Sequence, residues 1–193
     1  MCVHIIKKRT YLNWMTTVLM AFACMAFISC DKDDDNDLAG GTGSGSLSAG
    51  SASLSVNYGF YDVYDEEEGE LAWEFAFFNF DPNSTSLPQK VDELFIYFSV
   101  PDSIEGIPLG TFYAFGATVC KGVNPTRENE DGDYYSGMSD KMRRKSALIV
   151  SKSGDNYTIS FEGLPMTNDS SKESVTASFS YTGKLSEMQY YDE

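Results

Sequence analysis

The sequence predicts an all-β fold: an antiparallel β-sandwich of about seven or eight strands, with a small lipocalin-like β-barrel as the alternative. Three observations carry that expectation. Apolar residues recur at period two over short runs, clusters of Gly, Pro, Asn, Asp and Ser interrupt those runs, and no segment sustains a capped 3.6-residue period.

Taken in order, the first run places Leu54, Val56, Tyr58 and Phe60 on one side of a strand. In LAWEFAFFNF, Leu71, Trp73, Phe75 and Phe77 share a side, while Ala76, Phe78 and Phe80 make the opposite side apolar as well. Glu74 interrupts that second side; it is a better candidate for an unusual carboxylate than the acids of the polar runs, and it reads as an outward-facing glutamate rather than a catalytic one. Leu94, Ile96, Phe98 and Val100 alternate next, followed by one long strand from Thr111 to Val119. Ala147 to Val150 and Tyr157 to Phe161 flank Ser153-Gly154-Asp155-Asn156, which has the composition of a tight hairpin turn. Val175 to Tyr181 is the last long strand, and its continuation through Leu185 pairs in the centre or along an edge. One short helical turn is expected around Ser139 to Lys145.

Ahead of this domain the chain changes character twice. Lys7, Lys8 and Arg9 precede a mostly apolar segment whose unbroken part, Val18 to Ile28, is too short to span a hydrocarbon layer of roughly 30 Å. Phe27-Ile28-Ser29-Cys30 resembles the lipobox of bacterial lipoproteins, with Phe27 in place of the usual Leu. The resemblance implies a signal peptide over residues 1–29 and lipidation of Cys30. The run Asp31, Lys32, Asp33, Asp34, Asp35, Asn36, Asp37 resembles the acidic export signal of surface lipoproteins in the Bacteroidota. It implies an outer-membrane, lipid-anchored protein facing the cell exterior. Several acyl chains, each contributing about 0.8 kcal/mol per buried CH₂, hold such a protein firmly in the membrane.

The following LAGGTGSGSLSAGSAS, up to Ser53, reads as a Gly/Ser tether, because such residues bury too little surface to offset chain entropy. Roughly 20 residues of that kind reach about 25 Å. The expected organisation is therefore a signal peptide (1–29), a lipidated and acidic tether (30–53) and a single all-β domain (54–193).

Composition excludes several kinds of chemistry. The whole chain carries a formal charge of −15, and removal of the leader's three basic residues leaves eleven against twenty-nine acidic ones, or −18. So acidic a chain is ill suited to nucleic acid, whose binding depends on Lys and Arg at phosphates. The sole histidine, His4, lies in the leader, which leaves the mature chain without a Ser-His-Asp or Cys-His nucleophile and without His-ligated metals. Cys120 has no intramolecular partner and reads as a buried thiol. RENEDGDYYSG is rich in oxygen ligands but fails the EF-hand pattern, since Arg127 falls where the first ligand belongs. The neighbouring Lys141 to Lys145 is the one dense basic patch of the domain. No cofactor motif, catalytic residue or metal site is expected, and the chain reads as a non-enzyme.

Aromatic residues supply the positive hint. Tyr134 and Tyr135, placed in a loop, and Tyr190 and Tyr191, at the tail, are the candidate ligand contacts, because tyrosine offers a flat apolar face with a polar tip. Asp102-Ser103-Ile104 resembles the O-glycosylation acceptor motif of the Bacteroidota, with Ser103 as acceptor. The expected function is non-catalytic capture of a glycan or another nutrient at the surface. The alternative is a structural or protein-interaction lipoprotein serving as accessory subunit of a surface complex.

Overall fold

The computed structural model describes residues 41–65, 69–84, 86–124, 132–139 and 146–188. Eleven strands follow one another: β1 (Gly41–Ala49), β2 (Ala52–Asp65), β3 (Glu70–Phe78), β4 (Val91–Pro101), β5 (Gly110–Phe112), β6 (Phe115–Val123), β7 (Asp133–Ser139), β8 (Leu148–Ser153), β9 (Asn156–Asn168), β10 (Ser174–Gly183) and β11 (Ser186–Glu187). Antiparallel pairing runs β1-β2-β3-β4-β6-β7-β9-β10, and β10 then pairs with β1. The result is a closed eight-stranded barrel with three additional strands.

This corrects the expected two-sheet sandwich. The interior rows of all eight strands converge on one core, and closure leaves no pair of facing sheets. β8 and β5 extend from the first half of β9, whose second half pairs with β7. β11 runs parallel to β2 and takes over its flank at Phe60, just where β1 ends opposite Gly59.

The strand that closes the barrel is the segment expected to be a tether. Domain structure begins by Gly41 rather than at Leu54. In β1 the side chains alternate strictly, with Gly41, Gly43, Gly45, Leu47 and Ala49 directed inward and Thr42, Ser44, Ser46 and Ser48 exposed. Glycine fills the inward positions because Tyr181 of β10 occupies that space. A Cβ at Gly43 or Gly59 would meet the Tyr181 ring, and one at Gly41 would meet the carbonyls of Gly59 and Lys184. The fully buried Tyr181 hydroxyl lies 2.8 Å from the Lys184 carbonyl and 3.2 Å from that of Gly41, sharing its proton between them. Tyr181 thus ties the first described strand to the chain that follows the last long one.

The interior is filled by rings. Phe77 lies 4.8 Å from Phe179 and 4.9 Å from Tyr181 between ring centres, and Phe161 continues the series from Phe179 to Phe115. On the other side Phe75 meets Phe98, which meets Phe112 at 4.7 Å. β8 and β5 thereby add Leu148, Val150 and Phe112 to the same core. Each such side chain contributes roughly 1.5–3 kcal/mol through burial, and offset or tilted rings add to that.

Two local irregularities alter the expected faces. The β1–β2 register shifts between Thr42 and Gly45, and β2 changes parity there. Leu54 and Val56 line the interior, whereas Tyr58 and Phe60 belong to a second cluster outside it. The expected strand Thr111–Val119 is split by a bend at Tyr113 and Ala114 into β5 and β6, which lie far apart in the sheet. A bulge at Val91/Asp92 is held by the Asp92 carboxylate, which accepts from Gly122 N at 2.9 Å, while Asn79 Oδ1 accepts from Asp92 N at 3.0 Å. The hairpin expected at Ser153–Asn156 joins β8 to β9, with Gly154 at φ 59°. The expected helical turn falls largely on residues 140–145, outside the described residues, and Ser139 itself ends β7.

Two consequences are measurable by urea unfolding. Tyr181→Phe is expected to lower the unfolding free energy by about 1–3 kcal/mol, the cost of leaving buried carbonyls without their donor. A chain starting at Leu54 lacks β1 and exposes the edges of both β2 and β10; it is expected to show no cooperative transition.

Candidate functional site

Strand β3 is buried on both faces, so the outer wall of β2, β3, β4, β6 and β7 carries a second layer of side chains. Register fixes its rows. Tyr58, Phe78, Glu93, Cys120 and Tyr134 form one; Phe60, Ala76, Phe95, Thr118 and Ser136 the next; Asp62, Glu74, Tyr97, Gly116 and Met138 the third. Phe80, Leu87 and Met188 pack onto this layer from the β3–β4 connection and from the segment after β11. Met188 is tied down by its N–H to the Tyr61 carbonyl at 2.8 Å.

The layer contains two buried carboxyl groups, which is the feature that sets it apart. Glu74 is only 1 % exposed, and neither carboxylate oxygen has a hydrogen-bond partner. Its cross-strand neighbour on β2 is Asp62, another acid, whose Oδ1 accepts from Val63 N at 2.7 Å while Oδ2 is buried without a partner. Burial, and secondarily the Asp62 charge, push the Glu74 carboxyl up to about 8. Glu93, buried in the first row, is raised to about 7 by burial and then by the adjacent Asp92. Tyr97 lies beside Glu74 on β4; its hydroxyl is raised well above the ordinary range by burial first and by Glu74 next. Cys120, opposite Glu93, is fully buried, and desolvation with the Glu93 charge keeps its thiol protonated and unreactive.

The residues singled out from sequence are distributed differently from expectation. Tyr134 and Tyr135 are in strand β7 rather than a loop, and they face opposite ways. Tyr134 joins the outer layer opposite Cys120, and Tyr135 packs against the barrel core. They therefore cannot form one stacking platform. Burial raises the Tyr134 hydroxyl to about 12, with the Cys120 and Glu93 charges adding to it. Ser103 is exposed on the turn after β4, where Ile104 N bonds the Pro101 carbonyl. Cys30, Asp31, Lys32, Asp33, Asp34, Asp35, Asp37, Tyr190 and Tyr191, like the basic patch 141–145, lie outside the described residues. Glu74 points outward as expected, and it is buried there because flanking aromatic residues make the outer layer a second apolar cluster. The hint was present in LAWEFAFFNF, whose second side is apolar on both flanks of the glutamate.

Among the described residues no group of three or more His, Cys, Asp and Glu side chains is arranged to hold a metal ion. No protein-family model matches the chain, and the comparisons with curated proteins and with solved structures likewise return no match.

The buried carboxyls make stability depend on pH with a definite sign. Between about pH 4.5, where an exposed glutamate of the unfolded chain ionises, and pH 8, the folded state holds a proton that the unfolded state has lost, so stability falls as pH rises. Glu74 accounts for a fall on the order of 4 kcal/mol across that window. Glu74→Gln is expected to remove the Glu74 share of this dependence, leaving that of Glu93, and to exceed the wild type in stability at pH 8, as read by urea unfolding at several pH values in chelator.

Proposed function

We propose that this chain is a lipid-anchored, surface-displayed, non-catalytic protein-interaction module, an accessory subunit of a surface complex. The observation that carries this reading is the ring-filled interior. A barrel that captures a small ligand keeps a lumen for it. Here Phe75, Phe77, Phe98, Phe115, Phe161, Phe179 and Tyr181 occupy that space, so recognition is left to the exterior. The separation of Tyr134 and Tyr135 onto opposite faces of β7 weighs against glycan stacking at that pair.

The exterior also bears on how the domain stands relative to a membrane. A barrel that spans lipid turns an apolar band outward. Here Ser46 is in register with Ser180 on one side and Ser55 on the other, and Ser180 with Ser160, so this wall carries a belt of hydroxyls while Phe179 and Tyr181 of β10 point inward. That arrangement suits a domain surrounded by water, and the N-terminal lipobox-like segment supplies attachment. On the opposite wall Met138, 68 % exposed, ends the row that contains Asp62 and Glu74. It is the apolar side chain best presented to a partner.

Photo-crosslinking in intact cells tests the proposal. A crosslinker at position 138 is expected to yield one discrete protein adduct, and one at position 46, on the hydroxyl wall, none. In parallel, thermal unfolding against a panel of glycans is expected to show no saturable shift. A saturable glycan shift, or equal adducts from both positions, overturns the proposal.

A further inference from the structure

We propose that Asp62 and Glu74 form a binding niche for a hard divalent cation, calcium in its simplest form, on the outer wall between β2 and β3. The inference is independent of whether the wall also meets a protein partner. It rests on placement. Asp62 and Glu74 are directly paired across the two strands, which puts their side chains next to each other on the same face. Two like charges in that position repel, and a buried carboxylate without donors costs more than an exposed one. Yet three of the four oxygens, both of Glu74 and Oδ2 of Asp62, are buried and lack any hydrogen-bond partner. The fourth accepts from Val63 N and so fixes the orientation of the Asp62 carboxylate.

Several unsatisfied oxygens of negative character, brought together in an otherwise apolar layer, are the environment that hard cations take. Asp62 is only partly buried and provides the approach, while Glu74, at 1 % exposure, provides the floor. The groups facing the niche are these two acids and, from β4, the Tyr97 phenol, with Glu93 and Cys120 further along the wall. With two protein carboxylates and water completing the coordination, the affinity belongs to the weak class, with Kd of roughly 10⁻⁴–10⁻³ M, typical of extracellular calcium modules.

The test uses the full chain and calcium itself. Thermal unfolding with increasing calcium is expected to show a saturable rise in Tm in the millimolar range. Calorimetric titration is expected to report one saturable class of sites in the same range. Glu74→Gln keeps the side-chain volume and removes the charge, so it folds; it is expected to weaken calcium at least about tenfold. Asp62→Asn is expected to weaken calcium as well. Equal calcium responses in wild type and both variants would mean diffuse ion binding by the acidic loops and would overturn the proposal. So would a wild type whose Tm does not respond to calcium.

Discussion

The insertion of Tyr181 into a cradle of glycines is the constraint on which the rest of this barrel depends. A sheet of eight strands can close only if its first and last long strands approach closely, and here the approach leaves a phenol ring pressed against the backbone of β1 and β2. Gly41, Gly43, Gly59 and Gly183 have no side chain to compete for that space, and the hydroxyl binds the carbonyls of Gly41 and Lys184 from inside. Closure in turn removes the free edges that β2 and β10 would otherwise present.

Once closed, the barrel has two walls of opposite chemistry. Where β1, β9 and β10 face outward, serine and threonine cover the surface, and Thr158 and Thr182 even bond to one another at 3.2 Å. Where β2, β3, β4, β6 and β7 face outward, Phe60, Phe78, Phe95 and Cys120 form a second apolar layer. β3 lies between the core and that layer, which is why most of its residues are apolar and why its one buried acid, Glu74, is so poorly accommodated. A protein interior keeps a buried carboxyl for a reason of pairing, protonation or ion binding. Asp62, its neighbour, makes an unpartnered charge there untenable and leaves a proton or a cation as the resolution.

Legibility from sequence followed side-chain size. The runs around Ile159 and Phe179 alternate large apolar residues with polar ones, those around Trp73 and Ile96 carry large apolar residues on both sides, and strands lie where these patterns occur. The two barrel strands that escaped, β1 and β7, are built mostly from Gly, Ser and Tyr, so they carry little hydrophobic alternation. Gly137 of β7 is small for the same reason as the glycines of β1: a Cβ there would collide with the Pro165 carbonyl of β9. Without those two strands a count of the remainder favours a sandwich; with them the sheet closes. The candidate site was half legible: the apolar second side of β3 is written in its residues, but the pairing of Glu74 with Asp62 is a matter of register between strands.

By itself the sequence determined the all-β class, the large strands, the burial of Trp73 and Cys120 and the absence of histidine chemistry in the domain, because each follows from residue type and local period. Tertiary structure alone decided closure, the inclusion of the glycine-serine segment, the separation of Tyr134 from Tyr135 and the meeting of two acids on one wall. Those are long-range facts. A glycine opposite a tyrosine some 140 positions away has no local signature, and it becomes meaningful only when the strands that carry the two residues are brought side by side.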